Sequence, residues 1–152
     1  MDHGDFVVVK NIEMIKFTGK KFKNKKSILD KGGARVVQTS LDWLDDNRQR
    51  NQDQPFFLFL NLNEAHGPYD PPEEFITKFL PDGLTLADVN AVDHGVAAER
   101  KKFNVGLREL GPHEKEIQLA LYDAEILYQD GLLKTLIQGL RDRDLLENTL
   151  VI

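Results

Sequence analysis

His66 is the residue of this sequence best placed for chemistry. It lies in Asn63-Glu64-Ala65-His66-Gly67-Pro68-Tyr69-Asp70-Pro71-Pro72, where three prolines and a glycine fall within six residues and forbid regular structure. An imidazole on such a loop can donate a hydrogen bond or carry positive charge toward an anion. Ordering the proline-rich turn is the competing role for the same residue. No cysteine is present, which excludes disulfides, thiolate metal sites and a cysteine nucleophile. His113, beside Pro112 at the start of a long helical pattern, reads as part of a helix cap.

Charge offers a second candidate. Between Lys10 and Lys26 stand seven lysines against one acid, Glu13, in a chain whose net charge is -5. Phe17 and Phe22 are interleaved with them, the combination that contacts phosphates and stacks on bases. One short basic run in an acidic chain is better explained as a solvated hairpin around Thr18-Gly19-Lys20-Lys21. No nucleic-acid partner is therefore expected. No stretch reaches the roughly 20 apolar residues of a membrane span or shows the apolar core of a signal peptide, so no membrane partner is expected either. Compartment and oligomeric state are not encoded in these patterns.

The elements that must position His66 follow from periodicity. Phe6-Val7-Val8-Val9 reads as a short strand. Ala34, Val37, Leu41 and Leu44 form a helical stripe ending before Pro55, with Trp43 at its edge. Phe56-Phe57-Leu58-Phe59-Leu60, continuing through Leu62, reads as a strand buried on both faces. Pro72 can start a short helix through Phe79, and Leu84 to Val92 reads as helical within an excursion broken by Gly95, Gly106 and Gly111. Ile117, Leu121, Ala124, Tyr128, Leu132, Leu136 and Leu140 predict a helix over roughly 114–143, and Thr149-Leu150-Val151-Ile152 begins another strand. Strand, helix and strand predict an α/β fold, with residues 56–62 and 149–152 parallel in one sheet and His66 beyond the carboxyl end of the first strand. A chain that stops inside a core strand is expected to be part of a longer one.

Leu41-Asp42-Trp43-Leu44, Gln54-Pro55-Phe56-Phe57-Leu58-Phe59-Leu60 and His66-Gly67-Pro68-Tyr69-Asp70-Pro71-Pro72, in this order, resemble consecutive core segments of sulfatases, members of the alkaline phosphatase superfamily. Tyr122-Asp123-Ala124-Glu125-Ile126 and the run from Leu140 to Ile152 resemble the helix and strand that in this family lead to a metal-binding motif. The resemblance covers about residues 32–80 and 113–152. It implies a parallel-sheet core with flanking helices, a partial alkaline-phosphatase-like (sulfatase) fold. The chain then reads as a single partial domain over 1–152: a variable β and basic segment at 1–33, a helix-strand-loop core at 34–80, a variable excursion at 84–112, and a long helix and strand at 113–152.

By the same resemblance His66 is the substrate-binding residue, the histidine that hydrogen-bonds a sulfate ester near its leaving oxygen. The family's formylglycine arises from Cys/Ser-x-Pro-x-Arg, a pattern that follows neither Ser27 nor Ser40. Calcium, or magnesium, is implied as cofactor, but its ligands are not assigned to this chain. Asp2-His3-Gly4 and Asp93-His94-Gly95 mimic the family's metal motif without the apolar strand that should precede it, and read as surface loops. The expected function is that of a fragment of a sulfuric ester hydrolase, inactive alone, whose parent acts on a sulfate ester small molecule or glycan. The alternatives are a phosphoglycerol transferase or phosphonate hydrolase of the same superfamily, or a non-catalytic binding module.

Overall fold

The computed structural model of the chain describes residues 31–50, 55–92 and 102–152. Helix α1 spans Gly33–Arg50, α2 Glu73–Ile76, α3 Leu86–Ala91 and α4 Pro112–Arg141, followed by a short 3-10 helix at Leu146–Asn148. None of these helices is long and apolar enough to cross a membrane.

Local chemistry sets their ends. Gly32, at φ 108°, opens α1 by accepting a hydrogen bond from the Val36 N–H, and only glycine adopts that backbone freely. Thr85 and Asp88 form a reciprocal capping box at the start of α3. At α4, Pro112 occupies the first turn, where its missing N–H costs nothing, and Glu114 accepts from the Gly111 N–H. That turn's cap is thus made by Glu114. His113, expected in this role, is instead exposed, with Nδ1 3.4 Å from Glu116. The far end of α4 closes with Asp144 in the left-handed region at φ 54°, Leu145 N–H bonded to Leu140 O and Asp144 N–H to Arg141 O.

By packing, the chain divides into two compact units. Among the described residues, one comprises Gly32–Leu62 and Leu132–Ile152, the other Lys31 and Asn63–Gly131. In the first, Val37, Leu41 and Leu44 of α1 are buried as the stripe predicts, and so are Leu132, Leu136 and Leu140 of α4. Ala34 is exposed, and Val36 and Ser40 take up the buried face in its place. Arg143 closes this unit with a two-pronged contact to Asp45 at 2.6 and 2.7 Å. In the second, Ile76, Val89, Ile117, Leu121 and Ala124 form one apolar cluster, flanked by Tyr69, Phe75, Leu80, Leu84, Leu86 and Val92. The stretch 84–92, read as part of an excursion, therefore contributes to a core.

The expected α/β architecture is overturned: among the described residues there is no strand and no sheet. Residues 56–62 are extended but unladdered, with Phe57 and Phe59 48% and 54% exposed instead of buried on both faces. Leu150 and Val151 are likewise exposed, and no backbone pairing joins 149–152 to 56–62. The physical reason is that a strand exists only through hydrogen bonds to another segment. An apolar, β-branched run records a preference for that environment and supplies no partner. Trp43, edge-on to Phe56 with ring centroids 6.3 Å apart, covers part of the run in place of a sheet neighbour. Phe6-Val7-Val8-Val9 and the lysine-rich segment lie outside the described residues, as do both Asp-His-Gly triplets.

Candidate functional site

The loop after Leu62 starts with a turn in which the His66 N–H bonds to Asn63 O at 3.0 Å, and its Gly67–Pro68 bond is cis. His66 itself is exposed. Its Nδ1 stands 2.7 Å from the Gly67 carbonyl, and since a carbonyl only accepts, Nδ1 carries the proton of that bond. Nε2 is left facing outward. In the neutral ring Nε2 is an acceptor; it becomes a donor only when the ring is doubly protonated.

Beneath the exposed imidazole the loop is held by charge. Glu64, on the loop, and Glu125, on α4, are both 1% exposed, a state a carboxylate tolerates only when paired and hydrogen-bonded. Lys31 supplies the cation. Its Nζ donates to Glu125 Oε1 at 2.5 Å, to the His66 carbonyl at 2.8 Å, and to the Glu64 carbonyl. Its own N–H donates to Glu64 Oε2 at 3.0 Å. Glu125 Oε1 also accepts from the Asp70 N–H at 2.9 Å, so the loop is gripped on both sides of Pro68. Tyr69 adds an aromatic seal, 5.4 Å from the Tyr122 ring and 6.0 Å from the Lys31 ammonium.

These groups belong to one packing unit, so the clamp stands on contacts within it. Glu125 reaches the loop because it sits four residues after Leu121 and one after Ala124, on the apolar stripe of α4. A charged residue on that stripe was the sequence signal that could have marked it. Nothing comparable marks Lys31 or Glu64, whose placement comes from partners 33 and 94 positions away. Ser40 is buried on α1 with its hydroxyl donating to Val36 O at 2.8 Å; Ser27 is outside the described residues.

The clamp does not fit the calcium or magnesium ion that the resemblance implies. A hard divalent cation needs several convergent oxygen ligands, whereas here an ammonium already occupies the position between carboxylate and carbonyls. Among the described residues no group of three or more His, Cys, Asp or Glu side chains could hold a metal ion.

Comparison with curated proteins and with solved structures returned no match. The Sulfatase family model, by contrast, matches residues 11–152, a span that takes in α1, the His66 loop, Lys31, Glu125 and all of α4. With the greater part of its length accounted for in this way, the chain belongs to the sulfatase family.

Proposed function

We propose that this chain supplies the sulfate-binding loop of a sulfuric ester hydrolase acting on sulfate monoesters, with His66 as the group that meets the ester. The observation that carries this reading is the state of the ring: exposed, with Nδ1 held by the Gly67 carbonyl and Nε2 left for an outside partner. A protonated Nε2 donates to a sulfate oxygen and favours the charge that develops as the S–O bond to the leaving group breaks. Because Nδ1 keeps its proton, this donation requires the imidazolium.

The nucleophile and any calcium or magnesium ligands are contributed from outside the described residues. Sulfatase-family membership supports the hydrolase class, and the absence of Cys/Ser-x-Pro-x-Arg from the sequence supports assigning the nucleophile elsewhere. The test has two parts. Aryl sulfate with calcium should show no turnover above a His66→Ala control with this chain alone, and metal-dependent turnover would mean that its own residues hold the machinery. Inorganic sulfate should shift the His66 ring resonances, and its affinity for the chain should fall in His66→Ala; an unmoved ring or an unchanged affinity removes His66 from the proposal.

A further inference from the structure

Lys31 and His66 are both cations or potential cations of the loop region, and either one is a plausible anion binder by charge alone. Hydrogen-bond accounting separates them. An ammonium has three protons, and those of Lys31 meet three acceptors: Glu125 Oε1, the His66 carbonyl and the Glu64 carbonyl. No donor remains for a sulfate oxygen. The acceptors are also unusual in their distribution, since two are backbone carbonyls of the loop that presents His66 and the third is a carboxylate fixed on a 30-residue helix. Glu125 in turn takes the Asp70 N–H, so one oxygen joins Lys31 to the backbone four residues beyond His66.

We propose that Lys31 is a positioning residue, which with Glu125 pins the backbone on either side of His66 to α4 and so fixes the direction in which the imidazole is offered to an anion. The inference rests on the sulfate-binding reading of His66. The mechanism is restriction of freedom. An unheld loop samples more than one backbone conformation, and the cost of ordering it would otherwise fall on each binding event. The clamp orders it beforehand through charge-assisted bonds, and burial of both carboxylates strengthens them relative to a solvated pair.

The experiment compares the chain with Lys31→Met and Lys31→Arg, reading amide exchange at Asp70, the ring nitrogen resonances of His66, and titration with inorganic sulfate. Lys31→Met is expected to speed Asp70 exchange, to remove the single Nδ1-bonded signature of the ring, and to weaken sulfate binding by about tenfold, the scale of one lost charge-assisted hydrogen bond. Lys31→Arg retains the charge and is expected to restore a part of each. Unchanged sulfate affinity and ring signals in a folded Lys31→Met chain overturn the positioning role while leaving His66 as the anion site. If Lys31→Met does not fold, Glu125→Gln takes its place, keeping side-chain volume while removing the charge that orients Lys31, and the same unchanged readings count against the proposal. Failure of sulfate to perturb His66 in the parent chain is a different result, which removes the reading on which this inference stands.

Discussion

The two packing units of this chain solve the problem of charge in opposite ways. In the unit built from Gly32–Leu62 and Leu132–Ile152, charges meet at the surface: Arg143 grips a half-exposed Asp45 while the helices touch through leucines and valines. In the unit containing Asn63–Gly131, two carboxylates are taken out of solvent: Glu125 pairs with the Lys31 ammonium, and Glu64 accepts from the Lys31 backbone N–H. Exposed pairs contribute little to stability, whereas a buried group left without its partner is severely penalised. A fold has no need of the second arrangement for stability alone. Among the described residues, the other unit holds no buried carboxylate.

The comparison is broken most directly by removing the cation. Lys31→Met leaves Glu125 buried without its counter-charge and should lower unfolding free energy by about 3–5 kcal/mol, measured by urea denaturation. A loss below about 1 kcal/mol, the range of an exposed pair, would mean that the two units handle charge alike.

Apolar truncation should come next. Leu121→Ala in one unit and Leu44→Ala in the other, each 1% exposed, should each cost about 2–5 kcal/mol. Hydrogen exchange then sharpens the contrast: Leu121→Ala should loosen Asp70 together with its cluster, and Leu44→Ala should leave Asp70 protected. A smaller effect is expected at Gly139, where an added Cβ would stand 2.5 Å from a Leu41 methyl. Overpacking of about 1–3 kcal/mol is offset by up to about 1 kcal/mol of helix propensity, so Gly139→Ala should be mildly destabilising by thermal melting.

The smallest effect is that of acid on the surface pair. The hydrogen bond from Arg143 holds the Asp45 carboxyl below its ordinary value of 3.8. A depressed carboxyl contributes stability that is complete above the unfolded value and is lost as pH falls through the folded one. Asp45→Asn should therefore match the parent chain at strongly acid pH and fall slightly below it above pH 4 in denaturation midpoints. Equal stability at every pH would show that the pair contributes nothing.

Much of this architecture is legible in the chain itself. The stripes through Val37, Leu41 and Leu44 and through Ile117 to Leu140 give α1 and α4 because helical hydrogen bonds are local and periodicity records which face is buried. Pro68, Pro71 and Pro72 break the chain where the His66 loop stands, again by local geometry. The expected sheet failed for the complementary reason, since residues 56–62 carry the composition of a strand while its hydrogen-bond partner has to come from elsewhere.

The site divides along the same line. The bend that carries His66 and the lack of cysteine are properties of residue order and were readable from it. The clamp was decided by tertiary structure alone. Lys31 is an ordinary lysine in sequence, and Glu64 an ordinary loop glutamate. Only when the chain brings Lys31 against residues 33 and 94 positions away do they become a buried ion network, because the free energy of a buried charge depends on partners that sequence distance conceals.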